Sequence, residues 1–292
     1  MASPISWEFV QKHADRILAE GIHHLRAQTF LRSDQVTLDG PGNYLISLDG
    51  VPVYIGEAMD VRQRLKTQFD ANRSTFYKTF LVSDPDIPRD IGEFRVQTMA
   101  TRFGRKEIED FGIVNVPTRL NKFQKNKRPV IDPSYGSEMW GLVQEACHDL
   151  LAEGAERYMA RPMVPWTEAT PPDAPGLYGL WGEGDETPLY VGESSELANR
   201  YKTHSTNTYM SALRRHVGSV ILGLELKDKN GKKNKVFTEA DDRMVDAYLE
   251  RSLYSWMEVG LGRYEVEDHL IQTELPVLNR KGKQRSAVPR ST

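Results

Sequence analysis

The sequence predicts a mixed α+β fold in which one small module occurs twice along the chain. The first observation is a self-match, because a shift of 136 positions aligns residues 52–57 (PVYIGE) with residues 188–193 (PLYVGE). The second is that each block belongs to a pair of short apolar runs separated by a turn signal, which is typical of a β-hairpin. The third is the helical spacing of apolar residues directly after each block.

Further matches lie on both sides of these blocks and occur in the same order. Upstream, residues 41–44 (PGNY) resemble residues 175–178 (PGLY). The shift of 136 also pairs Arg64 with Arg200, Lys66 with Lys202 and Thr67 with Thr203. Each copy ends with a glutamate that an asparagine follows 12 positions later, namely Glu109 and Asn121 in the first and Glu267 and Asn279 in the second. Ordered matches with insertions only between them indicate a duplicated domain.

Local patterns predict the elements of the first half. Apolar residues between Trp7 and Leu25 have helical spacing and predict a helical extension over residues 1–35. Residues 44–48 and 51–55 are apolar runs separated by Asp-Gly, a strong signal for a two-residue hairpin. Helical spacing after the hairpin sets Arg64 and Gln68 one turn apart on one face. We therefore place the first module at residues 36–135.

The second half repeats this organisation after a connecting segment. Residues 137–158 predict one helix, and the five prolines of residues 161–175 predict a linker, so we place the boundary near residue 160 and the connection at residues 136–174. The second module, residues 175–292, opens with a looser hairpin and a helix bearing Arg200 and His204. A capping-box pattern begins another helix at Thr238, and its apolar stripe predicts core. That stripe consists of Val245, Tyr248, Leu249, Leu253 and Trp256.

Composition excludes several classes of protein. The chain has 39% hydrophobic residues but no apolar stretch long enough for a membrane span, and its first residues do not resemble a signal peptide. The single cysteine, Cys147, cannot form an intramolecular disulfide or a zinc cluster. We therefore expect a cytoplasmic globular protein with no membrane partner.

Positive charge is concentrated locally, although the formal net charge is −3. Residues 227–235 contain five lysines against one aspartate, and two further basic runs follow residues 121 and 279. Such runs can neutralise phosphates, and the alternative is that they are solvated loops. The candidate DNA-binding residues are Lys202, Lys229, Lys232, Lys233, Lys235, Lys122, Lys125, Arg280 and Lys281.

The ordered polar residues of the second copy resemble the GIY-YIG nuclease superfamily. The residues that carry the resemblance are Tyr178, Tyr190, Arg200, His204, Glu267 and Asn279. The resemblance implies two modules, each with a small three-stranded antiparallel sheet flanked by helices. It also implies a one-metal site, phosphodiester hydrolysis and restriction-endonuclease-like membership.

The residue types independently suit cleavage of a phosphodiester. A carboxylate such as Glu267 is a natural ligand for Mg²⁺ or Mn²⁺, and Arg200 can bind phosphate oxygens with its guanidinium group. Tyr178 and Tyr190 can hydrogen-bond the attacking water and the phosphate. His204 is a candidate general base or proton relay because its ordinary pKa is closer to neutrality than that of a phenol. By the same reasoning Asn279 braces the site through hydrogen bonds.

The first copy differs from the second at one position of this set. Its corresponding residues are Tyr44, Tyr54, Arg64, Gln68, Glu109 and Asn121, with Glu109 as the possible metal ligand. Glutamine cannot accept a proton at neutral pH, so Gln68 in place of His204 predicts an impaired site. Either the chain has two active sites and acts as a monomeric pseudo-dimer, or only the second module cuts and a homodimer makes double-strand breaks.

These observations predict a Mg²⁺-dependent DNA endonuclease with a role in restriction or phage defence. Residues 227–235 and 75–101 are the insertions that could contact bases. The alternatives are a repair or recombination nuclease, and a nucleic-acid-binding protein that keeps the nuclease fold without catalysis.

Overall fold

A computed structural model of the chain describes residues 5–70, 72–74, 76–81, 90–121 and 138–279. The chain forms two compact units, which are described separately. The first comprises Met1–Leu150 with Gly260–Gly262, and the second comprises Leu151–Val259 with Arg263–Thr292. Among the described residues, no helix has both the length and the apolarity that crossing a bilayer requires.

The first unit contains a hairpin, a third strand and helices before, between and after the strands. Its elements are α1 (Trp7–Lys12), α2 (Ala14–Arg26), β1 (Gly42–Leu48), β2 (Val51–Ala58), α3 (Val61–Gln68), a π-helical turn (Phe76–Leu81), β3 (Phe94–Ala100), α4 (Arg105–Asn115), α5 (Met139–Glu145) and the start of α6 (Cys147–Met159). The three strands form an antiparallel sheet in the order β2-β1-β3. Helices α1 and α2 lie within the segment predicted as an N-terminal helical extension.

The predicted two-residue turn between β1 and β2 is confirmed. Asp49 and Gly50 have φ values of 50° and 76°, the left-handed conformation at both central positions that a type I′ turn requires. This turn fits the right-handed twist of the strands and pairs Leu48 with Val51. A register shift of one residue between Ile46 and Ser47 then places Tyr44 opposite Gly56. Tyr44 is fully buried in the apolar cluster between the sheet and α3.

The connecting segment differs from the prediction in two ways. The single predicted helix is two helices, α5 and α6, separated at Ala146, where the backbone has φ −83° and ψ 8°. The predicted linker is partly structured, because its residues 164–165 form a short strand and Trp166 is 4% exposed in the apolar cluster of the second unit. Burial of this large ring explains why the segment packs as structure rather than as a free linker.

The second unit adds a small separate hairpin to a sheet and its helices. Besides the rest of α6, its elements are β4 (Val164–Pro165), β5 (Gly176–Trp181), β6 (Tyr190–Ser194), α7 (Leu197–Thr206), α8 (Ala212–His216), β7 (Lys227–Lys229), β8 (Lys232–Val236), α9 (Glu239–Glu250), β9 (Leu253–Glu258) and α10 (Arg263–Glu274). The main sheet is antiparallel with the order β4-β9-β5-β6, so it has four strands where the resemblance implied three.

The predicted apolar stripe after Thr238 is correct in its first part and wrong in its second. Thr238 caps α9 by accepting a hydrogen bond from the backbone N–H of Asp241, and Val245 and Leu249 are buried. Leu253 and Trp256 do not continue the helix, because they belong to β9. Pairing of β9 with β5 supplies backbone hydrogen bonds that helical spacing in the sequence does not reveal.

Candidate active site

Two tyrosines on neighbouring strands form the base of the site in the second unit. Tyr178 on β5 lies opposite Gly192 on β6. A Cβ atom at Gly192 would lie 2.4 Å from both Cζ and the hydroxyl oxygen of Tyr178, so the ring occupies the space that the glycine leaves open. Tyr190, two residues before Gly192, projects to the same face, and the two rings stack with centroids 6.1 Å apart. This close approach explains why glycine follows the second tyrosine by two positions.

Helix α7 places Arg200 and His204 one turn apart, and both contact the Tyr178 hydroxyl. Arg200 Nε donates to this oxygen at 3.1 Å, and His204 Nε2 lies 3.0 Å from it. Because a guanidinium group can only donate, the phenol oxygen accepts from Arg200 and can give its own hydrogen to His204 Nε2. The three side chains therefore form one hydrogen-bond chain.

His204 is fully buried, and both of its ring nitrogens have partners. Nδ1 lies 2.7 Å from Ser211 Oγ, which also accepts from the backbone N–H of Arg214 at 3.0 Å. Burial lowers the pKa of His204 well below 6.5, and the charges of Arg200 and Arg214 lower it further, so the ring is neutral. Of the two roles expected for His204, this geometry favours proton relay through Tyr178 over direct contact with water.

Glu267 on α10 interacts electrostatically with the same group of side chains. Burial raises the pKa of the Tyr190 hydroxyl, and the negative charge of Glu267 raises it further, while Arg200 opposes the shift. Tyr190 is 8% exposed, whereas Tyr178 is 1% exposed and His204 is fully buried. Tyr190 is thus the most accessible of these three groups, on the side of the site that faces the carboxylate.

Asn279 is bonded to the strand that carries Tyr190. Its Oδ1 accepts from the backbone N–H of Val191 at 2.9 Å, and its Nδ2 donates to the carbonyl of Val191 at 2.7 Å. The amide thus pairs with β6 as a neighbouring strand would, and it satisfies two buried backbone groups. Its contact is to the backbone between Tyr190 and Gly192 rather than to the other side chains of the predicted set.

An ion pair that the sequence analysis missed joins α10 to β6. Arg263 Nε lies 2.8 Å from Glu193 Oε2, and the arginine side chain is only 4% exposed. Arg263 is one turn before Glu267, and Glu193 directly follows Gly192, so the pair fixes the carboxylate-bearing helix to the tyrosine-bearing strand. A signal was present in the sequence, because an arginine also stands four positions before Glu109 and a glutamate also follows the glycine of the first copy.

The first unit has the same contacts at several corresponding positions. A Cβ atom at Gly56 would lie 2.4 Å from the Tyr44 hydroxyl, and the rings of Tyr44 and Tyr54 stack with centroids 6.1 Å apart. Asn121 bonds both backbone groups of Ile55, at 2.8 and 2.9 Å. Arg105 and Glu57 correspond to Arg263 and Glu193, and they also form a buried ion pair.

The two units differ where the first has Gln68. Gln68 is 2% exposed, and within the described residues its Nε2 has no hydrogen-bond partner. Arg64 interacts with the Tyr44 hydroxyl as Arg200 does with Tyr178 and opposes the rise of its pKa, which burial causes. Burial raises the pKa of Glu109 to about 7, helped by the charge of Asp110 and opposed by Arg64. The first unit therefore contains the paired tyrosines, the arginine and the carboxylate, but it has glutamine in place of the imidazole acceptor.

The structure describes only some of the predicted DNA-binding residues. Lys202 is exposed on α7, and Lys229, Lys232 and Lys233 are exposed on the β7–β8 hairpin, with Lys235 half-buried beside them. Four of these residues lie outside the described part of the chain, namely Lys122, Lys125, Arg280 and Lys281. Residues 82–89 of the insertion at residues 75–101 also lie outside it.

Stacked tyrosines, a guanidinium group and a carboxylate on one face of a small sheet are suited to handling a phosphate. The comparison with protein families gives the same class, because residues 182–289 match the model of the GIY-YIG catalytic domain, which indicates an endonuclease-type hydrolase. The matched segment contains Tyr190, Arg200, His204, Glu267 and Asn279 and begins after Tyr178. Neither the curated proteins nor the solved structures contain a match.

Proposed function

We propose that the protein is a metal-dependent endonuclease that hydrolyses DNA, with its main active site in the second unit. The observation that carries the proposal is the hydrogen-bond chain from Arg200 through Tyr178 to His204, within and beside the segment that matches a GIY-YIG catalytic domain. A chain of this kind offers a cation for the phosphate and an acceptor for the proton of the attacking water.

The donor set suits a hard divalent cation that keeps most of its water. In the described part of the chain, no three His, Cys, Asp or Glu side chains come together as a metal-binding group. Each unit instead presents one predicted carboxylate ligand, Glu267 or Glu109. Mg²⁺ is commonly held by one or two carboxylates with substrate phosphates and water, so Glu267 would hold Mg²⁺ or Mn²⁺. When bound, the cation supplies charge stabilisation to the phosphate and the leaving oxygen.

The side chains around the cation carry out the remaining steps of the proposed reaction. Arg200 uses Nε to orient the Tyr178 hydroxyl, so the terminal amino groups of its planar fork can bind the non-bridging phosphate oxygens. Tyr190 would hold the attacking water. The proton of this water moves along the phenol hydroxyls towards His204 Nε2, and Ser211 holds the imidazole in orientation.

Cleavage of supercoiled plasmid DNA tests the nuclease proposal. We expect nicking or linearisation with Mg²⁺ and none with EDTA. Glu267→Gln should reduce the rate by about 100-fold or more, because the carboxylate both binds the cation and places it. The matched control is Glu258→Gln, which removes an exposed carboxylate from β9 and should leave the rate unchanged. Equal rates in the Glu267 variant and the wild type would refute the assignment.

We propose further that the first unit is a second copy of the same module with impaired catalysis. The proposal is supported by the repeated sequence blocks, by the matching asparagine bonds at Ile55 and Val191, and by the matching ion pairs. Gln68 leaves this copy without the imidazole acceptor. Its expected role is that of an internal partner which binds DNA.

For the biological role, we propose restriction or phage defence. The proposal is supported by the insertion at residues 227–235, which places an exposed hairpin on the catalytic unit itself, where it could reach base edges. Mapping of the cut sites in a digest of genomic DNA tests this role. Discrete sites are expected, whereas cutting only at branches, flaps or lesions would favour a repair or recombination nuclease instead.

A further inference from the structure

The β7–β8 hairpin is a separate, exposed ribbon with a high density of lysines. Residues 227–233 are all exposed, and the two strands pair with each other but not with the main sheet. Asn230 and Gly231 have φ values of 52° and 72° and close the turn. Lys229 lies directly opposite Lys232. Because like charges opposite each other destabilise a strand pair, this arrangement favours an anionic ligand.

Tyr209 fixes the two opposed lysines. The Nζ atoms of Lys229 and Lys232 lie 5.6 and 5.7 Å from the centroid of the Tyr209 ring, within the range of cation–π attraction. The side-chain hydrogen bond with Lys232 lowers the pKa of the Tyr209 hydroxyl. Tyr209 itself follows α7, which carries Arg200 and His204. The ring therefore ties the ribbon to the loop that leaves the catalytic helix.

Arg215 links this loop to the active site. Its Nη1 donates to the backbone carbonyls of Thr208 and Tyr209 at 2.8 and 2.7 Å. Burial and then the positive charge of Arg200 lower the pKa of Arg215, so the two guanidinium groups lie near each other. Positive charge thus continues from Arg200 through Arg215 to the lysines over Tyr209.

We infer that this basic track, defined as Arg200, Arg215 and the lysines of the β7–β8 hairpin, is a docking surface for double-stranded DNA flanking the scissile phosphate. The inference rests on the proposed function and adds the substrate class. Phosphates of a duplex are spaced closely enough to meet successive lysines, and a two-stranded ribbon fits the major groove. Binding of single strands instead relies on open aromatic faces, and the face of Tyr209 is occupied by lysine ammonium groups.

Fluorescence anisotropy with the full chain in EDTA tests the inference without cleavage. The probes are a short labelled duplex and its isolated strand, titrated over a range of salt concentrations. Lys229→Ala/Lys232→Ala should weaken duplex binding about ten-fold or more and make the slope of log K against log salt less steep by about 2, the effect of losing two phosphate contacts. The control, Lys12→Ala/Arg26→Ala, removes two exposed charges from the N-terminal helices and should match the wild type. Tyr209→Ala should weaken duplex binding, because the lysines lose both the ring and the hydroxyl group that hold them.

Two results would overturn the inference. One is an unchanged duplex affinity and salt slope in the lysine variant, and the other is a wild type that binds the single strand more tightly than the duplex. The proposed function fails separately. If the wild type never cuts DNA but the lysine variant binds the duplex more weakly, the docking surface is supported and the nuclease proposal is refuted. If the wild type cuts DNA and the lysine variant binds the duplex normally, the nuclease proposal is supported and the docking surface is refuted.

Discussion

Replacement of His204 by glutamine converts the hydrogen-bond chain of the second unit into that of the first. His204→Gln removes the contacts of Nδ1 with Ser211 at 2.7 Å and of Nε2 with Tyr178 at 3.0 Å. A buried hydrogen bond contributes a net value of about 1 kcal/mol, so the free energy of unfolding should fall by about 2 kcal/mol near pH 8. Cleavage should fall as well, because the phenol hydroxyl loses its proton acceptor.

The same substitution changes how stability depends on pH. The pKa of His204 is lowered in the folded protein, so the unfolded chain binds the proton first as the pH falls below its ordinary value of 6.5. The stability that depends on the neutral ring is therefore present above pH 6.5 and lost as the pH falls towards the folded pKa. One pH unit below 6.5 the wild type loses about 1.4 kcal/mol from this group, and the gap between wild type and variant narrows by that amount.

Urea unfolding followed by tryptophan fluorescence measures both effects. The second unit contains Trp166, Trp181 and Trp256, so its unfolding has its own reporters. The matched control is His148→Gln, which replaces an exposed histidine on α6 and should retain the pH dependence of the wild type. Identical pH dependence in His204→Gln and the wild type would refute a buried, neutral imidazole at this position.

Three further substitutions have defined outcomes. Gly192→Ala places a Cβ atom 2.4 Å from the buried tyrosine ring beside it, so we expect a loss of about 1–3 kcal/mol in unfolding and slower cleavage; an unchanged melting temperature would contradict the packing. Arg263→Ala removes the buried guanidinium group from Glu193 and should cost about 3 kcal/mol, whereas Arg157→Ala breaks a more exposed pair and should cost less than about 1 kcal/mol. Equal losses by urea unfolding would contradict the positioning role. Gln68→His should give the Tyr44 hydroxyl an imidazole acceptor, stabilise the first unit by about 1 kcal/mol and increase linear over nicked plasmid. Unchanged stability and product ratio would argue against the hydrogen-bond account.

The sequence predicts the elements whose signals are local. The Asp49-Gly50 turn, the N-terminal helices and the start of α9 at Thr238 follow from backbone preferences within a few residues, and the structure has all three. The spacing of apolar residues over a few positions does not distinguish β9 from a continuation of α9. Its identity depends on pairing with β5, which lies more than 70 positions earlier in the chain.

The same distinction between local and long-range signals applies to the active site of the second unit. A repeat and a family resemblance point to the tyrosines, the arginine, the glutamate and the asparagine, because these residues recur at fixed intervals. They do not reveal that His204 is fully buried and bonded to Ser211, or that the charge of Arg200 acts on Arg215. Both depend on the placement of α8 against α7, which is set by tertiary packing.

The most direct test of the central claim compares the carboxylates of the two units. Supercoiled plasmid is incubated with Mg²⁺ and wild type, Glu267→Gln or Glu109→Gln, and the nicked and linear products are timed. We expect Glu267→Gln to lose nearly all cleavage and Glu109→Gln to retain at least the nicking rate, because the second unit has His204 as proton acceptor where the first has Gln68. Full activity in Glu267→Gln together with loss of activity in Glu109→Gln would contradict the account and place the cutting site in the first unit.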